Sequence, residues 1–140
     1  MKVMVVERFR FVSAVHIVLI RDDKILLLRR FNTEWGNGSY SLIAGHIDGM
    51  ETARSAAVRE LKEESGLRAA EEDLEFVHVM HRLGEVNERI EFFFRLREQR
   101  QEPRNMEPGK CDDMGWFPVK VLPENTLPYI RLALRNIGEE

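Results

Sequence analysis

Residues 45–67 read Gly45-His46-Ile47-Asp48-Gly49-Met50-Glu51-Thr52-Ala53-Arg54-Ser55-Ala56-Ala57-Val58-Arg59-Glu60-Leu61-Lys62-Glu63-Glu64-Ser65-Gly66-Leu67. After a loop over 46–51, the segment from about Thr52 to Ser65 is the only strongly helical stretch in the first half of the chain, and Gly66 closes it as a C-cap. At about 100° per residue, Glu60, Glu63 and Glu64 fall within a sector of roughly 100°, because positions i, i+3 and i+4 are neighbours on a helix. Ala57, Val58 and Leu61 occupy the adjoining sector and can dock on a sheet, while Ala53 and Ala56 lie beneath the acids and leave space. The pattern predicts a wet acidic groove beside a packed face.

The flanking segments supply the sheet. Residues 12–20 are dense in β-branched and apolar side chains, and 25–28 repeat that character after the turn-like Arg21-Asp22-Asp23-Lys24, which predicts a hairpin. A polar, glycine-bearing loop over 32–39 leads to a short strand over 40–44 that ends at Gly45. Beyond the helix, strands are expected over 74–80 and 89–96, the second with Ile90, Phe92, Phe94 and Leu96 on one face. Pro103, Pro108 and Gly109 mark a long polar connection over 97–114, a candidate substrate-facing segment, before a short strand over 115–119. A last helix near 126–137 carries Leu127, Ile130, Leu134 and Ile137 on one stripe. Mixed strands with two helices predict an α/β fold in which helices pack on the faces of a mixed sheet.

With 140 residues, 44% of them hydrophobic, the chain fits one domain with one core, residues 1–140. Charged residues make up 32% but nearly cancel to a formal net charge of -3, so no global field recruits nucleic acid or an anionic membrane. Cys111 is the only cysteine, which excludes an internal disulfide and suits a reducing compartment; it reads as a partly buried small residue rather than a reactive thiol. No apolar run approaches the roughly 20 residues of a membrane span, and the expected location is cytoplasmic.

Like charges at helical spacing cost about 0.2–0.5 kcal/mol per pair, and more when desolvated, so the three glutamates need compensation. A salt bridge such as Arg59 with Glu63 at i, i+4 would make the face an ordinary solvated one. A hard divalent cation is the functional alternative: Mg²⁺ takes oxygen ligands, bridges carboxylates to substrate phosphates, and helps water attack phosphorus. The full run decides between the two. Gly45, five residues, Glu51, seven residues, Arg59-Glu60-Leu61, one residue, Glu63-Glu64, one residue and Gly66-Leu67 match every position of the Nudix box. At ordinary residue frequencies such a match at one start is on the order of one in a billion.

The sequence therefore resembles the Nudix hydrolases, and specifically their MutT-like members. The resemblance implies a Nudix fold, with a mixed sheet sandwiched between α-helices, and hydrolysis of a nucleoside diphosphate linked to another group with Mg²⁺ or Mn²⁺. By position it implies Glu60, Glu63, Glu64 and the Gly45 carbonyl as metal ligands, Arg59 orienting the carboxylates, and Glu51 bracing loop and helix. Glu60 is the favoured general base; Glu107, Asp112 or Asp113 from the late connection is the alternative, as base or extra ligand, against a bland role as solvated loop charge. Ile43-Ala44 and Asp48 depart from common choices near the box entry, which implies tuning rather than loss of activity. The implied partner is a small-molecule nucleotide, with no nucleic acid and no membrane. Family members are often dimeric, so a homodimer is compatible, although no residue here marks an interface.

Substrate markers mostly argue by absence. Arg82 and Leu83 stand where ADP-ribose-cleaving relatives place a proline, the only tyrosines, Tyr40 and Tyr129, are not where dinucleoside-polyphosphate relatives have one, and the motif of NADH-cleaving relatives is missing. Arg29-Arg30 resembles the double arginine of MutT-like proteins and would hold phosphates by charge-assisted bonds; a plain surface pair is the equal alternative. Pro123-Glu124-Asn125 resembles the segment from which those proteins read a base edge, although Asn125 is better placed to cap the last helix. Residues 105–111 leading to Trp116-Phe117 are similar to eukaryotic MutT-type homologues, where Trp116 would stack on a base, with a core role as its rival. Phe31, Trp35 and Tyr40 either line a pocket or pack under the loop; His46 lies nearest the metal positions, and His16, His78 and His81 sit in strands with no reason to act as ligands. The expected reaction is hydrolysis of a nucleoside triphosphate to monophosphate and pyrophosphate; another nucleoside diphosphate compound, such as a sugar nucleotide, or a non-catalytic nucleotide sensor, is the alternative.

Overall fold

The computed structural model describes residue 4 and residues 6–84, 87–97 and 100–138. Two positions of the expected late connection, 98 and 99, lie outside the described residues. The chain forms β1 (Val12–Arg21), β2 (Lys24–Arg30), β3 (Tyr40–Ser41), β4 (Ile43–His46), α1 (Ala53–Ser65), β5 (Leu74–Leu83), β6 (Glu88–Leu96), β7 (Cys111–Pro118) and α2 (Pro128–Ile137).

β1 is the spine. It runs parallel to β6, from Val12 opposite Arg89 to Leu19 opposite Leu96, while β5 pairs antiparallel on the far side of β6. On its other edge β1 meets β2 only at the tight turn, where Ile20 faces Ile25 and Asp22 and Asp23 take φ of 51° and 61°. From there the two strands diverge, and the segment expected as one strand over 40–44 fills the wedge in two pieces. β3 pairs with β2 through Leu28 and Ser41, and β4 pairs with β1 from Ile17–Ile43 to Ala14–His46. Leu42 is the crossover, buried to 1% exposure. β7 closes the far edge of β2.

Alternation along the strands makes two cores. Val15, Ile17, Leu19, Leu26, Leu28, Ile43, Phe94 and Leu96 pack with Ala56, Ala57 and Leu61 of α1, and Val18, Ile25, Leu27, Leu42 and Phe93 pack with Ile130, Ala133 and Leu134 of α2. The helices thus cover opposite faces of a mixed sheet, as expected. A buried leucine such as Leu61 contributes about 1.5–3 kcal/mol from the apolar surface it removes from water.

Thr52 caps α1 by accepting the Ser55 N–H on its hydroxyl at 3.1 Å, and Gly66 ends the helix at φ 75°, donating to the Lys62 carbonyl. The buried face differs from expectation: Ala56 lies fully in the core rather than in an open space below the acids, and Val58 is only partly covered. Two boundaries also move. β7 starts at Cys111, four residues before the expected Gly115, so Asp112 and Asp113 stand on a strand and not in the late loop. α2 starts at Pro128, whose fixed φ suits a first helical position, and its N-cap Leu127 makes no side-chain bond. Asn125 is therefore not the cap; its amide donates to the Gly38 carbonyl at 2.6 Å.

Candidate active site

α1 lies against β4, and beyond the apolar contact through Ile43 two of its acids meet the strand. Glu64 accepts the backbone N–H of Ala44 at 2.8 Å, and the Glu60 carboxylate lies so close to Gly45 that a Cβ there would fall 2.0 Å from its Cδ. Only glycine leaves room for Glu60 at this point of the strand.

Arg59 organises the rest. It grips Glu51 with two bonds, Nη2 to Oε1 at 2.6 Å and Nε to Oε2 at 3.1 Å, and reaches Glu60 at 2.7 Å, Glu63 at 3.2 Å and the His46 carbonyl at 3.0 Å. Glu51 in turn accepts the Asp48 N–H at 2.7 Å, which ties the loop to the helix. Arg59 thus bonds loop residue Glu51 and helix acids Glu60 and Glu63 together. Bidentate contact of this kind needs a guanidinium, since an ammonium offers no planar fork.

Electrostatics distinguish the acids. Bonds from Arg59 and from the Asp48 N–H hold the Glu51 carboxyl below its usual range. Burial raises Glu60 despite Arg59 beside it. Glu64 is pushed up to about 8 by burial, with the charges of Glu60 and Glu107 adding to the effect and the Ala44 N–H opposing it. Arg59 serves Glu51, Glu60 and Glu63, and its hydrogen bonds do not reach Glu64. As the side chains stand, no three His, Cys, Asp or Glu among the described residues converge on one point, because Arg59 draws Glu60 and Glu63 toward itself. The donor chemistry nevertheless fits a hard divalent cation: three carboxylates crowd one patch, one of them desolvated without a cationic hydrogen-bond partner, beside a glycine that lines the same cleft.

A cleft of about 560 Å³ opens over this patch. It brings together Gly45, Glu60, Glu63 and Glu64 with Arg29 and Arg30, and Trp35, Glu107 and Lys110 also face it. Arg30 bonds only neutral oxygens, the Trp35 carbonyl at 2.9 Å and the Thr33 hydroxyl at 3.2 Å, and stacks on the Trp35 ring at 4.4 Å. Burial lowers its pKa, as expected for a cation that lacks a carboxylate partner. Arg29 is tied to Asp112 at 2.7 Å. Asp113 accepts the Tyr40 hydroxyl at 2.5 Å. Of the three late acids, only Glu107 reaches the cleft, carried by a loop that Asn105 shapes through bonds to the Cys111 carbonyl and the Glu107 N–H.

Two expected substrate residues are not brought to the cleft. Trp116 pairs across from Leu26, near the hairpin end of β2, where it packs on the α1 core and takes Arg21 on its ring at 4.8 Å. Asn125 is spent on Gly38. Sequence reasoning missed another group that does line the cleft, His16, Arg89 and Tyr129, together with the fully buried Glu91 behind them. Glu91 accepts His16 Nε2 at 2.7 Å, Arg89 Nε at 2.6 Å and Arg82 Nη2 at 3.1 Å. The available signal was a lone carboxylate inside the apolar run of 90–94.

Comparison with known proteins bears on the family and the fold. A family model described as the NUDIX domain matches residues 10–136. An ADP-ribose pyrophosphatase of Methanocaldococcus jannaschii is 43% identical over 54 residues, which is 39% of this chain but only 31% of that protein. The fold is similar to that of a MutT NUDIX hydrolase from Burkholderia pseudomallei, with a TM-score of 0.82 and 24% identity over 91% of this chain and 98% of that one. It is also similar to the NUDIX domain of Shewanella oneidensis NrtR complexed with ADP ribose, with a TM-score of 0.76 and 18% identity over 94% and 89%.

Proposed function

Because this chain belongs to the Nudix family, as the match over residues 10–136 shows, we propose that it is a Mg²⁺-dependent pyrophosphohydrolase that cleaves the diphosphate linkage of a small nucleotide. The single observation that carries the reading is that Glu60, Glu63 and Glu64 line one cleft together with Gly45, with Glu60 against that glycine and Arg59 bonded to Glu60 and Glu63. Nudix hydrolases generally use divalent metal ions, and here Glu60, Glu63, Glu64 and the Gly45 carbonyl would hold Mg²⁺ or Mn²⁺. The cation would offset phosphate charge and make water a better nucleophile.

The chain's own residues do the rest. Arg30, a desolvated guanidinium whose hydrogen bonds among the described residues go to neutral oxygens, is available to take substrate phosphate oxygens, and Arg29, held by Asp112, also lines the cleft. Glu60 accepts the proton of the attacking water, while Glu107 is the alternative base from the facing loop. For a nucleoside triphosphate, water adds at the α-phosphorus, the bond to the bridging oxygen breaks, and pyrophosphate leaves from the monophosphate. No described helix is long and apolar enough to cross a membrane, and a buried lone Cys111 suits a cytoplasmic setting.

Nucleoside triphosphates are the preferred substrates, on the strength of Arg29 and Arg30 at the cleft. A second reading, another nucleoside diphosphate compound such as ADP-ribose, draws on the names of the relatives. Incubation with Mg²⁺ and a panel of triphosphates, ADP-ribose and sugar nucleotides, with products weighed by mass spectrometry, separates these. Monophosphate plus pyrophosphate is the expected result. Nucleotide binding without turnover on any of them would overturn the catalytic reading in favour of a sensor.

A further inference from the structure

Part of the cleft wall is not used by the hydrolytic chemistry. His16 lines it and is 2% exposed. One face of its ring stacks on Phe93, with centroids 4.6 Å apart and planes at 13°, and Tyr129 meets it edge-on at 5.8 Å. Its Nε2 lies 2.7 Å from Glu91, whose carboxyl burial would raise but which hydrogen bonds from His16 and Arg89 hold below its usual range. A carboxylate only accepts, so Nε2 carries a ring proton; because Glu91 already takes two guanidiniums, Arg82 and Arg89, a third cation on it is disfavoured, and His16 is assigned as the neutral Nε2–H tautomer with a lone pair on Nδ1. That Nδ1 is buried and has no hydrogen-bond partner among the described residues. Arg82 and Arg89 complete the cage around Glu91, so the tautomer is set from behind by three donors on one carboxylate. Trp35 and Tyr129, 6.4 Å apart, supply aromatic surface on the same side of the cleft.

A buried acceptor with no partner, held rigid beside aromatic rings in a ligand-sized cleft, is the arrangement by which a site rejects a molecule that lacks the matching donor. We propose that His16 determines base specificity, its Nδ1 accepting a hydrogen bond from an amino or ring N–H on the edge of the substrate's nucleobase. The inference rests on the reading of this cleft as a nucleotide site and deepens it by naming the recognition atom. Glu91 is a positioning residue, acting on the base through His16.

The test uses binding, so that it does not depend on turnover. Affinities of GMP, IMP and AMP are compared with that of purine riboside 5′-monophosphate, whose base carries no N–H donor, in the wild type, in His16→Leu and in His16→Gln. At least one donor-bearing nucleotide is expected to bind the wild type about tenfold tighter than the donor-free one. His16→Leu should level that preference, and His16→Gln, which can bond Glu91 and still present an oxygen, should restore part of it. In the wild type itself the ¹⁵N resonance of His16 Nδ1 should move when the preferred nucleotide saturates, which needs no variant to fold. No preference in the wild type, a preference kept in His16→Leu, or an unmoved Nδ1 resonance overturns the proposal. Base preference in binding without hydrolysis of any nucleotide would leave it standing and overturn the hydrolase reading alone.

Discussion

The carboxylate of Glu60 occupies the space that a side chain at position 45 would need, with Glu60 Cδ 2.0 Å from an ideal Cβ on Gly45. Gly45→Ala must therefore displace Glu60 from the strand or the strand from α1. Misplacing a reacting group by about 1 Å costs on the order of 100-fold in rate, and a fall of that size in kcat is expected. Unchanged turnover would show that Glu60 does not work from this position.

Arg59→Lys should behave as a severe change despite keeping the charge. The ammonium cannot hold Glu51 in two bonds and also reach Glu60 and Glu63. Loss of such a supporting partner commonly costs about 10–100-fold in metal affinity or activity. Titrating activity against Mg²⁺ checks this; a wild-type midpoint and maximal rate in the variant would contradict the role.

Glu64 makes the metal-free protein sensitive to pH. Burial raises its pKa from 4.5 to about 8, so its contribution to stability is fully present below about 4.5 and is lost as pH rises through about 8. In chelator, Glu64→Gln should raise Tm by about 5 °C at pH 8 and little at pH 5, because glutamine keeps an oxygen for the Ala44 N–H without the buried charge. Mg²⁺ should then stabilise the wild type and not the variant. Thermal denaturation at the two pH values reads both effects, and equal shifts at pH 5 and pH 8 would refute the assignment.

The two residues that the fold removes from the cleft make a complementary prediction. Trp116→Phe should leave substrate preference intact, since the ring packs on the α1 core and Arg21. Asn125→Ala should cost about 0.5–1.5 kcal/mol of stability through the lost bond to Gly38, again without altering base preference. A changed ratio of turnover between purine and pyrimidine substrates in either variant would return it to the binding site.

The box helix was readable because its information is local: i, i+3 and i+4 spacing placed the three acids on one face, and Gly66 marked the end. The hairpin and the alternation along 89–96 were readable for the same reason, whereas the parallel pairing of β6 with β1 was not. The split at Leu42 was not, since it depends on how far β1 and β2 diverge after their turn. Asp112 and Asp113 look like loop charge until Arg29 and Tyr40 are seen to face them across β2 and β3. Glu91 reads as an exposed acid in a strand, and only partners on β1, β5 and β6 explain how it is buried. These features are made by contacts distant in sequence, of which the sequence carries no more than the place of Glu91 inside an apolar run.

The central claim, that the glutamate cluster on α1 performs metal-dependent hydrolysis, is tested most directly by the rate of nucleotide cleavage in saturating Mg²⁺ for the wild type, Glu63→Gln and Glu64→Gln. A fall of at least about 100-fold in both variants, with nucleotide binding in chelator retained, is the predicted result. Undiminished turnover in both would contradict it.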